Sequence, residues 1–221
     1  GQDYSVVVDY AHTPDALRNA LSMLRECTEG KVPLVLGCGG DRDKGKRLEM
    51  TKVACAGADR VWATADNPRT EPLDDIFKDM KKGQTRGSRI SFVGDRRRAI
   101  SLALDQAESG DCVLIAGKGH ECFQEVQYTA IPFDDREVVR ELINIKALVS
   151  LISNAKFIIS NDTGPAHIAS HLDKAGIVLF GSHTTAKKVS IENLNFKAIT
   201  VEDLNNLTVE TVIEKVKSRL N

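Results

Sequence analysis

Four short stretches set opposite charges beside glycine or proline just after apolar runs. In ADNPRTEPL, Asp66, Asn67 and Arg69 surround Pro68, and in AGKGHE, Gly117 and Gly119 bracket Lys118 before His120 and Glu121. VVVDYAHTPDAL offers Asp9, Tyr10 and His12 ahead of a helix with Thr13 as N-cap and Pro14 in its first turn. GCGGDRDKGKR follows its glycines with Asp41, Arg42, Asp43, Lys44, Lys46 and Arg47. Each stretch alone is ordinary turn chemistry. Together, at one end of one sheet, they suit a zwitterionic ligand, because arginine forks pair with carboxylates while Asp and Glu accept from ammonium groups. The glycine-rich stretch is neither a Walker A sequence nor a G-x-G-x-x-G fingerprint, so glycines alone do not assign a nucleotide. A fifth stretch, SNDTGPAHIAS, ends a strand at Asn161 and Asp162, turns through Thr163 and Gly164, and starts a helix at Pro165 with His167 in its first turn. The N–H groups there could receive a phosphate. The plainer alternative is a helix cap with His167 half-exposed.

Apolar, β-branched runs at 5–10, 32–38, 60–66, 89–94, 111–117, 156–161, 175–181 and 196–201 must carry these turns. Segments of helical period separate most of them, at 14–27, 46–58, 73–83, 95–108, 134–155 and 208–220. Such alternation predicts an α/β fold, Rossmann-like, with mainly parallel sheets covered by helices on both faces. Chemistry is then expected at the carboxyl ends of the strands. The arginine run 96–98 reads as a solvated helix face, and Trp62 and the phenylalanines as core.

The 221 residues can hold one large α/β domain or two small ones. With 30 basic and 31 acidic residues there is no global field to attract nucleic acid or anionic lipid, so neither is an expected partner. The chain opens at Gly1 without a basic-then-apolar leader, and no apolar run approaches a membrane span, which predicts a cytoplasmic protein. Five cysteines lack the paired spacing of a zinc site or disulfide framework and read as free thiols. No metal site is expected from the five histidines.

The composition changes within the helical segment 134–155. Arginine is frequent up to Arg140 and then occurs once, at Arg219, while Lys, Ile and Asn take over. The change suggests two origins joined near 142–147, with chance variation as the alternative. The expected organisation is 1–142 and 143–221, two fused α/β segments sharing the helix at about 134–155.

In this order, DYAHTPDAL, GCGGDRDKGKR, DNPR, AGKGHE and FDDRE resemble the C-terminal domain of the Mur ligases, in the UDP-N-acetylmuramoyl-tripeptide synthetase branch, over roughly 3–142. That family joins an amino acid to the peptidoglycan stem peptide: ATP phosphorylates the acceptor carboxylate, and the incoming amine attacks the acyl phosphate. The resemblance implies that Arg42, Asp66, Asn67, Arg69, Gly117 and Glu121 bind the amino acid. DNPR resembles the version that accepts meso-diaminopimelate, with Arg69 facing the distal carboxylate that lysine lacks. Asp9, Tyr10 and His12 are implied to approach the nucleotide. The chain departs from the family pattern at Leu48, where Pro is usual, and at Cys122-Phe123, where Thr-Tyr is usual. The parent ligase uses ATP and magnesium, but its phosphate loop lies in a central domain outside the match. No cofactor, catalytic residue or turnover is therefore expected of this chain alone.

Over roughly 144–221, LVSLISNAKFIISNDTGPAHIASHL, AGIVLFGSHTT and LTVETVIEKVKSRL resemble the C-terminal end of glycosyltransferase family 9, the heptosyltransferase family. The resemblance implies that Asp162, Thr163, Gly164 and His167 face the diphosphate of a nucleotide sugar. Ser182 stands where that family commonly has Pro. The leading expectation is a chimera, engineered or recombinant: an amino-acid-binding ligase domain joined to a glycosyltransferase fragment. The alternatives are a structural chimera with vestigial sites and a weakly active nucleotide-sugar transferase. A three-strand fragment cannot cover both faces of its own sheet, so it is expected to pack on the first part or on a second copy, as a homo-oligomer.

Overall fold

Five of the apolar runs form one parallel sheet. The computed structural model describes residues 3–182 and 185–220 and divides into two compact units, Gly1–Ile143 and Asn144–Asn221. In the first unit the elements run β1 (Ser5–Asp9), α1 (Pro14–Cys27), β2 (Pro33–Cys38), α2 (Lys44–Gly57), β3 (Arg60–Ala65), α3 (Leu73–Lys81), β4 (Ile90–Phe92), α4 (Arg96–Asp105) and β5 (Cys112–Ala116). A hairpin, β6 (Phe123–Val126) and β7 (Thr129–Pro132), precedes the long α5 (Asp135–Asn154).

The sheet order is β1-β5-β2-β3-β4, every pairing parallel. Its register aligns Asp9 with Ala116, Ala116 with Leu36, and Cys38 with Ala65, so the turns after β1, β2, β3 and β5 leave from one edge. Successive strand residues point to opposite faces. Leu34, Leu36, Val61, Ala63 and Leu114 pack against α1, α2 and α3 through Leu17, Leu21, Met50, Ala54, Ile76 and Met80. Val35, Trp62, Val113 and Ile115 pack on the other face against Ala99, Ile100 and Ala103 of α4 and Val138 and Val139 of α5. The fold class is thus α/β with helices on both faces. Thr13 caps α1 as its residue type predicts, its hydroxyl accepting from Ala16 N–H at 3.2 Å.

Three expectations need correction. The β6–β7 hairpin is antiparallel and was absent from the predicted strands. Arg96 is not on a solvated face: it is 2% exposed, and its Nε and Nη2 bind Asp135 at 2.8 and 2.7 Å. Arg97 and Arg98 are exposed as expected. Trp62 is core, at 1% exposure, whereas Phe123 is 42% exposed.

In the second unit the elements are β8 (Ile158–Asn161), α6 (Gly164–His171), β9 (Gly176–Phe180), α7 (Ala186–Val189), β10 (Phe196–Thr200) and α8 (Val209–Leu220). The sheet order is β10-β9-β8, again parallel. Val178, Phe180 and Phe196 form its core with Ala166 and Ala169 of α6 and Ile152 from the second half of α5.

Candidate functional site

The turns after β1, β2, β3 and β5 enclose a cleft of about 380 Å³. Tyr10, His12, Arg42, Asp66, Asn67, Arg69, Gly117 and Glu121 all line it, with Cys38, Asp43, Lys46 and Arg47. Asp9 does not line it. Its carboxylate accepts from Ala11 N–H at 2.7 Å and its carbonyl from Gly117 N–H at 3.1 Å, so it fastens the turns of β1 and β5 together.

The acidic side of the cleft is built on a buried cation. Lys118 is fully buried and donates from Nζ to Asn67 Oδ1 at 3.1 Å and to Glu121 Oε2 at 3.0 Å, with Asp66 Oδ1 at 3.8 Å. Asn67 completes the set by donating from Nδ2 to Glu121 Oε2 at 3.0 Å. Burial pushes the Glu121 carboxyl upward, but the hydrogen bonds from Lys118 and Asn67 outweigh it and hold the group below the usual carboxylate range. Asp66 and Glu121 thus bring two carboxylates to one ammonium. Gly117 has φ 114°, and a Cβ there would stand 3.0 Å from Asp66 Oδ2, so glycine keeps that carboxylate unobstructed. Burial, reinforced by the Asp66 charge, pushes the Cys38 thiol up to about 12, which keeps it neutral.

The cleft also carries arginines. Arg42 is exposed and has no ion pair among the described residues. Arg42 and Arg69 meet across Gly39, where a Cβ would be 3.7 Å from Arg42 Cγ and 3.2 Å from Arg69 Nη1. Arg69 donates from Nε to Glu125 Oε2 at 3.0 Å and from Nη1 to Gly40 O at 2.8 Å. Beneath them Arg47, 1% exposed, binds Glu71 through Nη1 at 2.7 Å and Nη2 at 2.5 Å, Asp79 at 3.1 Å and Gly39 O at 3.1 Å. The Arg47 guanidinium holds the Glu71 carboxyl down at about 2. Arg47 thereby braces the glycine turn that separates the two cleft arginines.

Tyr10 stands at the rim, 45% exposed, its ring 4.5 Å from that of His12 and 5.1 Å from that of His120. His12 turns Nδ1 to Tyr10 O at 2.8 Å. In the second unit, His167 Nε2 lies 3.4 Å from Asp162 Oδ1. Thr163 is the N-cap of α6 but makes no side-chain cap bond; its hydroxyl donates to Asn161 O at 3.2 Å. Gly164 has open space where a Cβ would stand. His167 and His171 have helical i,i+4 spacing on α6. His171 Nδ1 is turned to His167 O at 2.8 Å, and among the described residues no group of three metal-ligating side chains gathers.

Sequence reasoning missed three participants. Lys118 lies in a turn singled out for its charges, and Glu121 is only three positions on, but the contact of Lys118 with Asn67 spans 51 positions. Glu125 comes from the unforeseen hairpin. Arg96, paired with Asp135, also donates to Ala65 O at 3.3 Å and Ala116 O at 3.1 Å, the carbonyls just before Asp66 and Gly117.

Residues 1–119 match the family described as Mur ligase, glutamate ligase domain. Residues 84–211 match glycosyltransferase family 9 (heptosyltransferase), overlapping the first match over 84–119. The UDP-N-acetylmuramoyl-L-alanyl-D-glutamate--2,6-diaminopimelate ligase of Bacillus licheniformis is 50% identical over 143 residues, covering 65% of this chain and 29% of that relative. The Fusobacterium nucleatum ligase of the same name is 46% identical over 154 residues, covering 69% and 32%. A solved structure of a ligase so named superposes with a TM-score of 0.65 at 47% identity, over 66% of this chain and 30% of that one. The chain therefore spans about three-tenths of the length of these relatives. Among the described residues no helix is long and apolar enough to cross a membrane.

Proposed function

Because the chain belongs to the family of the Mur ligase glutamate ligase domain, we propose that its first unit is the amino-acid-binding part of a ligase that adds meso-diaminopimelate to the peptidoglycan stem peptide. The observation that carries this reading is one cleft lined both by a carboxylate pair, Asp66 and Glu121, and by two arginines, Arg42 and Arg69. The acidic side accepts the ammonium group and the arginines take the carboxylates. In the whole ligase, ATP with magnesium would activate the acceptor carboxylate as an acyl phosphate. Tyr10 and His12 border the side from which that group would approach, while Asp66 and Glu121 hold the attacking amine. On this reading the chain works in the cytoplasm, binds a small amino acid, and without further domains does not turn over.

The test is the calorimetric unfolding temperature of the chain with and without meso-diaminopimelate, with lysine as control. A ligand that binds only the folded state adds about 1.4 kcal/mol at ten times its Kd. A shift with meso-diaminopimelate that exceeds the shift with lysine and vanishes in Arg69→Ala supports the reading. Equal silence toward both ligands refutes it.

A second reading concerns 143–221, and the family 9 match favours it. There Asp162, Thr163, Gly164 and His167 face the diphosphate of a nucleotide sugar, and the chain is a chimera of a ligase domain and a glycosyltransferase fragment. Hydrolysis of a nucleotide sugar that disappears in Asp162→Ala would support an active fragment. Cooperative unfolding without response to any of these ligands would leave a structural chimera with vestigial sites. An intact natural reading frame encoding both parts would refute engineering.

A further inference from the structure

The turn that carries Arg69 is gripped by the β6–β7 hairpin. Arg69 has φ 53°, a left-handed backbone that a long side chain adopts only under constraint. Its N–H donates to Glu125 O at 2.9 Å, and its own carbonyl accepts from Gln127 N–H at 2.8 Å. Nearby, Glu125 N–H donates to Asn67 Oδ1 at 2.9 Å and Gln124 Nε2 to Asp66 O at 2.6 Å. One bond joins side chain to side chain: Arg69 Nε donates to Glu125 Oε2 at 3.0 Å.

With Nε held by Glu125 and Nη1 by Gly40 O, the plane of the Arg69 guanidinium is fixed. Nη2 has no hydrogen-bond partner among the described residues, and Arg69 lines the cleft whereas Glu125 does not. We propose that Glu125 is a positioning residue for ligand choice: from outside the cleft it aims the unengaged end of Arg69 at a carboxylate on the far end of the bound amino acid. This rests on the amino-acid-binding reading above. The Glu125 charge also offsets that of Arg69, so the far end of the cleft discriminates by the direction of its donors more than by net field. An amino acid with a distal carboxylate gains from the aimed donor, and one whose distal end carries an ammonium alone does not.

The experiment measures calorimetric affinities of the whole chain for meso-diaminopimelate and lysine in wild type, Glu125→Ala and Glu125→Gln. Glu125→Ala should lose about ten-fold in meso-diaminopimelate affinity, the scale of one charge-assisted contact. Lysine affinity should stay within about two-fold, because lysine makes no use of the aimed donor. Glu125→Gln, whose amide oxygen still accepts from Nε, should keep most of the preference. If Glu125→Ala fails to fold, Glu125→Asp, which draws the carboxylate back from Nε, carries the same expectation. Equal weakening of both ligands, or an unchanged preference, overturns the proposal while leaving the binding reading intact. A wild-type chain that answers to neither ligand ends both.

Discussion

Replacing Asp135 by alanine should strongly destabilise the first unit, although Asp135 does not line the cleft. Both side chains of the Arg96–Asp135 pair have 0% exposure, so the substitution strands a guanidinium where water cannot reach it. Breaking a buried pair from one side costs about 3–5 kcal/mol, because the remaining charge keeps its desolvation penalty. Arg96 keeps only its longer bonds to Ala65 O and Ala116 O, at 3.3 and 3.1 Å. For a unit the size of Gly1–Ile143 the unfolding entropy is about 0.3 kcal/mol/K, so the transition should fall by roughly 10–17 °C. Differential scanning calorimetry of the whole chain reads this directly. The double variant Arg96→Met/Asp135→Leu removes both charges and should recover most of the loss, because well-packed apolar replacements of buried pairs are often neutral. It should not recover ligand response, since the carbonyls before Asp66 and Gly117 lose their shared donor. A fall below about 3 °C in Asp135→Ala, or a double variant as unstable as the single, would refute the reasoning.

Two further outcomes are expected. The folded Glu71 carboxyl sits at about 2 against an unfolded value of 4.5, so its contribution to stability is complete above about pH 5 and is lost as pH falls toward 2; unfolding of Glu71→Gln should show a flatter acid dependence over that window. Lys118→Met removes a donor to both Glu121 and Asn67, so the Glu121 carboxyl should titrate higher by carbon-detected NMR and stability should fall by about 1–3 kcal/mol. An unmoved Glu121 titration would show that Lys118 does not hold that carboxylate.

The sheet and most helices were legible because their signals are local. Thr13 and Pro14 mark the start of α1, and the spacing of Leu17, Leu21 and Leu24 marks its buried face, so its residues could be read directly. The wholly buried runs of β2 and β5 read as core strands for the same reason. The β6–β7 hairpin gave no such signal. Thr129–Pro132 is exposed throughout, and the turn uses Gln127 and Tyr128, both at positive φ, where asparagine or glycine would be the recognisable choice. The cleft residues could be named because each follows a strand. Their supports could not, since Arg96 meets Asp135 across 39 positions and Arg69 meets Glu125 across 56. In the run 96–98 only the side facing Ala99 and Ile100 is buried, and identical residue types conceal which arginine that is.

The hairpin separates two properties that usually change together. Its two backbone–backbone bonds to Arg69 are indifferent to which side chains the strands carry, while the Arg69–Glu125 bond needs particular residues at both ends. If Glu125 aims Arg69 as proposed, a change at position 125 would alter that aim and leave the two main-chain bonds in place. On the reading proposed above, preference would depend on the side chain at position 125 while the main-chain clasp would not.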